Sequence, residues 1–279
     1  MQNGCDHRCT YCIIPYGRGN SRSVPIGVIV EQVKYLVAEG YNEVVFTGVD
    51  VTAYGSDLPG RPTFAQMIKR LLNLVPELKR LRLSSIDVAE IDDELFELMA
   101  FEERLMPHFH ISLQSGDNMI LKRMKRRHNR ELVIDFCNRL RNKRPNVAFG
   151  ADIIAGFPTE NTSMFNNTRM LIKEADLQYL HIFPYSPREN TPAARMPQIE
   201  RIIKKERAAE LRALGELQLE RFFKRSVGSK VNLLIEKEQV AHSENFIPVR
   251  MEKLYTQGSL ITAELKGLRG KYMVAEEFV

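Results

Sequence analysis

The 279-residue chain has only four cysteines, and no apolar run approaches the ~20 residues that a membrane-spanning helix needs. No basic, apolar-cored leader opens it. These shortages argue against a membrane protein and against a secreted disulfide framework. They predict a cytoplasmic protein whose cysteines serve a metal. With 44% hydrophobic and 27% charged residues, the chain can bury one sizeable core and a small extra module.

Three of the four cysteines fall within eight residues. Cys5, Cys9 and Cys12, in GCDHRCTYCIIP, are spaced C-x3-C-x2-C and can converge on one point. A structural zinc site wants four protein ligands, so three is one short. Three thiolates suit a cubane iron–sulfur cluster that leaves one iron open for a non-protein ligand. On spacing alone, a redox pair or a zinc site borrowing His7 or Cys137 stays open. Cys137 lies on a helical pattern, LVIDFCNRLRN, and reads as a buried thiol.

Along the chain, strands alternate with helices. Strand patterns cover 42–50, 79–87, 108–116, 146–158 and 177–186. Helical periodicity covers 25–39, 63–75, 92–100, 117–125, 130–143 and 164–175. Such alternation implies parallel pairing with right-handed crossovers, and functional groups in the loops at the C-terminal strand ends. The pattern predicts an α/β fold, a partial (β/α)6 barrel over residues 1–198. A long charged helix follows over 199–226. Residues 227–279 alternate short apolar runs with turns at Gly228, Gly258, Gly267 and Gly270, which predicts a small β-barrel.

The run from Cys5 through Tyr11 into IIPYGRGNSRS resembles the opening of radical S-adenosylmethionine (radical SAM) enzymes, the methylthiotransferase branch in particular. FTGVDVTAYG, LRLSSID, ISLQSGD, GADIIAGFPTE and FPYSPRENTPAA follow in that branch's order. GVDVTAYG, LRLSSID and MKRRHNRE are similar to the bacterial subgroup that methylthiolates C2 of N6-threonylcarbamoyladenosine 37 in tRNA. The segments VGSKVNLLIE, AHSENFIPVRM and GSLITAELKGLRGKYMVAE resemble the TRAM domain, an RNA-binding barrel.

The resemblance implies a [4Fe–4S] cluster on Cys5, Cys9 and Cys12, with the open iron holding S-adenosylmethionine for reductive cleavage. It implies cofactor contacts from Tyr11, Asp50, Ser84, Ser85, Gln114, Ile154 and Gly156, with Tyr54 facing the cofactor beside Asp50. Asp117 reads more simply as a helix cap. Residues 118–130 hold six Lys or Arg and no acid, which predicts a polyanionic partner. Lys122, Arg123, Lys125 and Arg127, with Arg18 and Arg22, are the RNA-binding candidates, while Arg126 is assigned to the carboxylate of S-adenosylmethionine. Residues 226–279 balance seven basic residues with seven acids, so any RNA contact there must be local.

The barrel's first strand is expected to be largely missing, because four residues precede Cys5. A second cluster is expected for the family, yet its ligands are absent here, so radical generation is expected to survive and sulfur insertion is not. The implied partners are the tRNA anticodon loop and a flavodoxin-type reductant, with the protein a monomer. Two other readings stay open: a radical SAM enzyme with a different substrate, and a non-catalytic RNA-binding protein holding zinc.

Overall fold

Alternation of apolar and polar side chains separates the two faces of the parallel sheet in the computed structural model, which describes residues 1–278. The chain opens with β1 (Gln2–Asn3), helix α1 (Ile14–Arg18) and β2 (Arg22–Ser23), the two strands pairing antiparallel around the cysteine loop. Helix α2 (Ile26–Ala38) leads to β3 (Glu43–Phe46), and α3 (Phe64–Leu74) to β4 (Arg80–Leu83), parallel to β3. Helix α4 (Asp93–Phe101) precedes β5 (His108–Gln114). Helices α5 (Asn118–Met124) and α6 (Arg130–Lys143) precede β6 (Ala148–Ala155), and α7 (Thr162–Glu174) precedes β7 (Tyr179–Pro184). Strands β5, β6 and β7 are parallel, and bridges Leu81–Leu105 and Ile86–Ile111 link them to the β3–β4 pair.

Helix starts follow local chemistry. Thr63 and Gln66 form a capping box ahead of α3. The side chains of Asp92, Asn129 and Asn161 each accept the backbone N–H three residues on, opening α4, α6 and α7. Asp117 likewise caps α5.

On β5, Phe109, Ile111 and Leu113 are fully buried against the helices. His108, His110, Ser112 and Gln114 take the other face and line the lumen, as Asp152 and Ile154 do on β6 and Tyr179 and His181 on β7. The lumen is polar for that reason, and the apolar core lies outside it.

Ahead of the cysteine loop the described residues hold one short strand, Gln2–Asn3. Gln2 and Asn3 pair with β2 and not with β3, while the Met1 ammonium donates to the Thr47 carbonyl at 3.1 Å. Among the described residues β3 pairs with β4 alone and β7 with β6 alone. The lumen is therefore open along one side, where Val45, His181 and Phe183 are 50%, 63% and 52% exposed.

Helix α8 (Arg201–Ser226) runs from the sheet to a closed barrel of β8 (Lys230–Lys237), β9 (Val240–Ser243), β10 (Pro248–Arg250), β11 (Leu260–Arg269) and β12 (Tyr272–Glu277). Its ring order is β8-β9-β10-β12-β11, with one parallel pair, β10–β12. That is a Greek-key arrangement of the oligonucleotide-binding type.

This small barrel plugs the N-terminal end of the sheet, the end away from the cysteines. Arg82 donates to Glu43 at 2.8 Å and to the carbonyls of Ser243 and Glu244 at 2.9 Å, and stacks over Phe246. Phe246 also stacks on His108. Arg80 donates to the Asn232 carbonyl at 2.7 Å.

Candidate active site

The cysteine loop sits at the opposite, C-terminal end of the strands, where parallel sheets expose their loops. Short-range bonds shape it: the Cys12 N–H donates to the Cys9 carbonyl at 3.1 Å, and the Cys5 N–H to Gly19. Thr10 anchors it from below, exchanging backbone bonds with Met124 and Ala193. All three cysteines are free and partly exposed. Burial pushes the Cys5 thiol up to about 12, with Asp50 adding to the rise, and burial raises Cys12 as well. Metal ligation needs the thiolate, so a cationic centre joining these sulfurs would release their protons.

A charged network braces the loop. Asp50, at the end of the β3 loop, places Oδ2 3.4 Å from Cys5 Sγ and 3.0 Å from His7 Nε2. Gln2 fixes Asp50 by accepting its N–H at 2.9 Å. His7 also lies 3.2 Å from Glu90, and these two carboxylates raise its pKa to about 10. Arg127 Nη2 stands 2.8 Å from the same His7 nitrogen. One nitrogen cannot both donate to a carboxylate and accept from Arg127. The two flanking acids decide for donation, and Arg127 is satisfied by Glu90 at 2.6 Å.

Arg126 is the cation that faces the cysteines. Its guanidinium is 8% exposed, 3.0 Å from Asp87, 2.8 Å from the Ser112 carbonyl and 3.8 Å from Cys9 Sγ. Burial alone would raise the Asp87 carboxyl. The charge of Arg126 and the His128 ring, 3.5 Å away, instead hold it well below the usual carboxylate range. Burial raises the Tyr11 phenol, and the neighbouring Cys9 adds to the rise.

Beside Tyr11 lies a cavity of about 310 Å³ lined by Gln114, Asp152, Ile154, Tyr185 and Arg188. Gln114 ends β5 with φ +69°, a left-handed turn that directs the chain out of the sheet. Ser84 and Ser85 stand at the C-terminal end of β4, and Ser84 Oγ is buried without a hydrogen-bond partner. A cluster on three soft sulfurs, with a ligand reaching Ser84 and Arg126, fits these unpaired groups. Cys137 does not belong to that set: it is fully buried in α6, and the charged groups near it are Arg141 and Asp176.

Several expectations change. Tyr54 does not face the site; its hydroxyl donates to the Val24 carbonyl at 2.6 Å and its ring packs on Phe64 in the core. At Gly156 (φ +72°) an added Cβ would lie 2.6 Å from Lys204 Cγ, so α8, not a ligand, makes the close approach. Within the basic run, Arg123 binds Thr159 at 2.7 Å, while Arg127 pairs with Glu90 through one terminal nitrogen and stays exposed. Lys122 and Lys125 are exposed. Arg18 and Arg22 are also exposed, flanking the cysteine loop; Arg18 donates to the Asn3 side chain, and Arg22 to the carbonyls of Arg18 and Asn20.

Sequence reading passed over Asp87 and Glu90, although Asp87 sits within LRLSSID. Its role depends on Arg126, 39 residues away in sequence, and no local spacing reports that.

A profile described as the radical SAM superfamily matches residues 1–172. The chain is 70% identical over 273 residues to the threonylcarbamoyladenosine tRNA methylthiotransferase MtaB of Rickettsia prowazekii, covering 98% of this chain and 65% of that protein. It is 38% identical over 262 residues to the protein of the same name from Aquifex aeolicus, covering 94% of this chain and 63% of the relative. The chain thus spans less than two thirds of these relatives. Among solved structures, the radical S-adenosylmethionine methyltransferase TsrM from Kitasatospora setae shares the fold, with a TM-score of 0.55 at 18% identity. That match covers 69% of this chain and 37% of TsrM.

Proposed function

This chain belongs to the radical SAM superfamily, and we propose that it forms the radical-generating core and RNA-binding barrel of a tRNA methylthiotransferase acting on N6-threonylcarbamoyladenosine 37. The carrying observation is the grouping of three partly exposed cysteines with Arg126 and Tyr11 over a cavity at the C-terminal strand ends.

Cys5, Cys9 and Cys12 would hold a [4Fe–4S] cluster. When bound, that cluster supplies the electron that splits the sulfonium of S-adenosylmethionine and frees a 5′-deoxyadenosyl radical. The chain's residues bind and orient. Arg126 offers its unpaired Nε–H to the cofactor carboxylate, and Ser84 Oγ is free to hydrogen-bond the methionyl or ribose part. Tyr11, Gln114 and Ile154 wall the adenine side, and Asp50 with His7 braces the cysteine loop from outside. The cysteines of this chain provide for one cluster, so the sulfur donor lies elsewhere.

The same reading makes a flavodoxin-type reductant and tRNA the partners, and a cytoplasmic monomer the working form. Lys122 and Lys125, with Arg18 and Arg22, are placed to meet phosphates around the site, and the small barrel adds a remote RNA contact.

Anaerobic reconstitution with iron and sulfide, then addition of dithionite and S-adenosylmethionine, tests the proposal. Release of 5′-deoxyadenosine is the expected result. One bound zinc, no acid-labile sulfide and no 5′-deoxyadenosine would overturn it.

A further inference from the structure

A side-chain cluster in the lumen lies outside the machinery just described. His110 on β5, Asp152 on β6 and His181 on β7 converge: His110 Nε2 and His181 Nδ1 stand 2.9 Å and 3.2 Å from the same oxygen, Asp152 Oδ1. Their rings are 4.5 Å apart. The sheet makes room for this group. Gly150 pairs with His110 across the strands, and a Cβ there would stand 2.3 Å from His110 Nδ1.

The cluster is not closed upon itself. Asp152 Oδ2 has no hydrogen-bond partner among the described residues, and His181 is 63% exposed on the open side of the lumen. Because His181 Nδ1 is tied to Asp152, its Nε2 points away from that bond and is free. Asp152 also lines the cavity beneath Tyr11, Gln114 and Ile154, whose rim carries Arg188. The Arg188 guanidinium makes no hydrogen bond or ion pair among the described residues, and it lines the same cavity as Asp152. Asp152 and Arg188 thus bring an acceptor and a cation to one cavity, and His181, bonded to Asp152, lies next to it on the strand that also supplies Phe183 to its wall.

We propose that Asp152, His181 and Arg188 form a subsite for the N6 substituent of the target adenine. It would select a substituent bearing a carboxylate together with hydroxyl or amide N–H groups over an aliphatic one. This rests on the tRNA reading above. A threonylcarbamoyl group carries a carboxylate, which suits the two-pronged Arg188 fork. Its hydroxyl and its urea N–H groups are donors for Asp152 Oδ2 and His181. An isopentenyl group in the same place would strip water from all three residues and return no hydrogen bond. Polar groups that lose water to a ligand without regaining a hydrogen bond disfavour such analogues. His110 is a positioning residue, holding the same Asp152 oxygen that His181 bonds.

The experiment uses the reconstituted chain with S-adenosylmethionine present. Its affinity is measured by fluorescence anisotropy for three anticodon stem-loop RNAs, identical except for adenosine, N6-threonylcarbamoyladenosine or N6-isopentenyladenosine at position 37. The expected result is a preference of about tenfold or more for the threonylcarbamoyl RNA, the size of one or two charge-assisted hydrogen bonds. His181→Phe, at an exposed position, and Asp152→Asn should each collapse that ratio towards one while keeping the cluster's absorption. Equal binding of all three RNAs by the wild-type chain would overturn the subsite and leave the tRNA reading standing. So would a ratio that survives both variants, or a parallel loss for all three RNAs. Failure to bind any of the three would instead remove the tRNA reading itself, and the subsite with it.

Discussion

The Arg126 guanidinium donates to Asp87 at 3.0 Å in a pair that is 8% and 5% exposed, while its other terminal nitrogen faces Cys9 Sγ at 3.8 Å. An exposed ion pair would contribute little. Here both charges are buried and offset each other, with His128 and Arg127 also beside Asp87, so the pair fixes where a cation stands beside the cysteines.

Arg126→Leu should therefore remove the shortest ion pair of the buried Asp87 carboxylate and destabilise the fold by about 3 kcal/mol, read from the urea midpoint. In the folded fraction, binding of S-adenosylmethionine should weaken by more than tenfold while iron content holds. A variant that binds the cofactor normally would remove Arg126 from that role.

Replacing Cys5, Cys9 or Cys12 singly by Ala should abolish iron and acid-labile sulfide uptake. Cys137→Ala should leave both unchanged and reduce stability by about 1 kcal/mol, because it only trims a fully packed core thiol. Iron and sulfide assays after anaerobic reconstitution separate the two classes.

Burial beside Arg82 holds the His108 pKa down to about 3, against about 6.5 in an unfolded chain. Between those values unfolding takes up a proton that the folded chain refuses. The contribution is full above pH 6.5 and is lost as pH falls towards 3, at up to about 1.4 kcal/mol per pH unit. His108→Phe keeps the stack on Phe246 and should flatten that fall. Urea midpoints at pH 7.5 and 5 for the two proteins provide the comparison.

Arg82→Met should loosen the small barrel from the sheet. It removes three hydrogen bonds and leaves Glu43 buried with only Arg80, at 3.6 Å. A loss of about 3–5 kcal/mol and two separate unfolding transitions in calorimetry are expected. A single unshifted transition would show that Arg82 does not carry the docking.

Lys122→Ala and Lys125→Ala should each reduce the slope of log affinity for tRNA against log salt by about 1, as loss of one phosphate contact does. Arg123→Ala, whose side chain is tied to Thr159, should lower the slope less. Filter binding over a salt series reads the difference.

Much of this protein is local and so was readable in one dimension. Strand and helix order follows from apolar period and caps such as Thr63 and Asp117, and the cysteine loop follows from spacing within eight residues. The face each strand residue takes also follows from alternation, which is why His110, Asp152 and His181 share the lumen. Other features depend on distant partners. The basic run 118–130 looks uniform in sequence. Folding sends Arg126 inward to Asp87, ties Arg123 to Thr159, pairs the exposed Arg127 with Glu90, and leaves Lys122 and Lys125 to solvent. Tyr54 beside Asp50 looked like a second cofactor contact until its hydroxyl met Val24. The docking of the small barrel on Arg82 and Phe246 had no signature, because it joins residues more than 160 apart.

The sequence by itself determined which groups are available: three adjacent thiols, a polar lumen face and a basic loop, each set by spacing along the backbone. Tertiary structure alone decided which charges are cancelled and which stay free. Burial makes an unpaired charge costly, and whether a partner arrives is settled only when distant strands close around it.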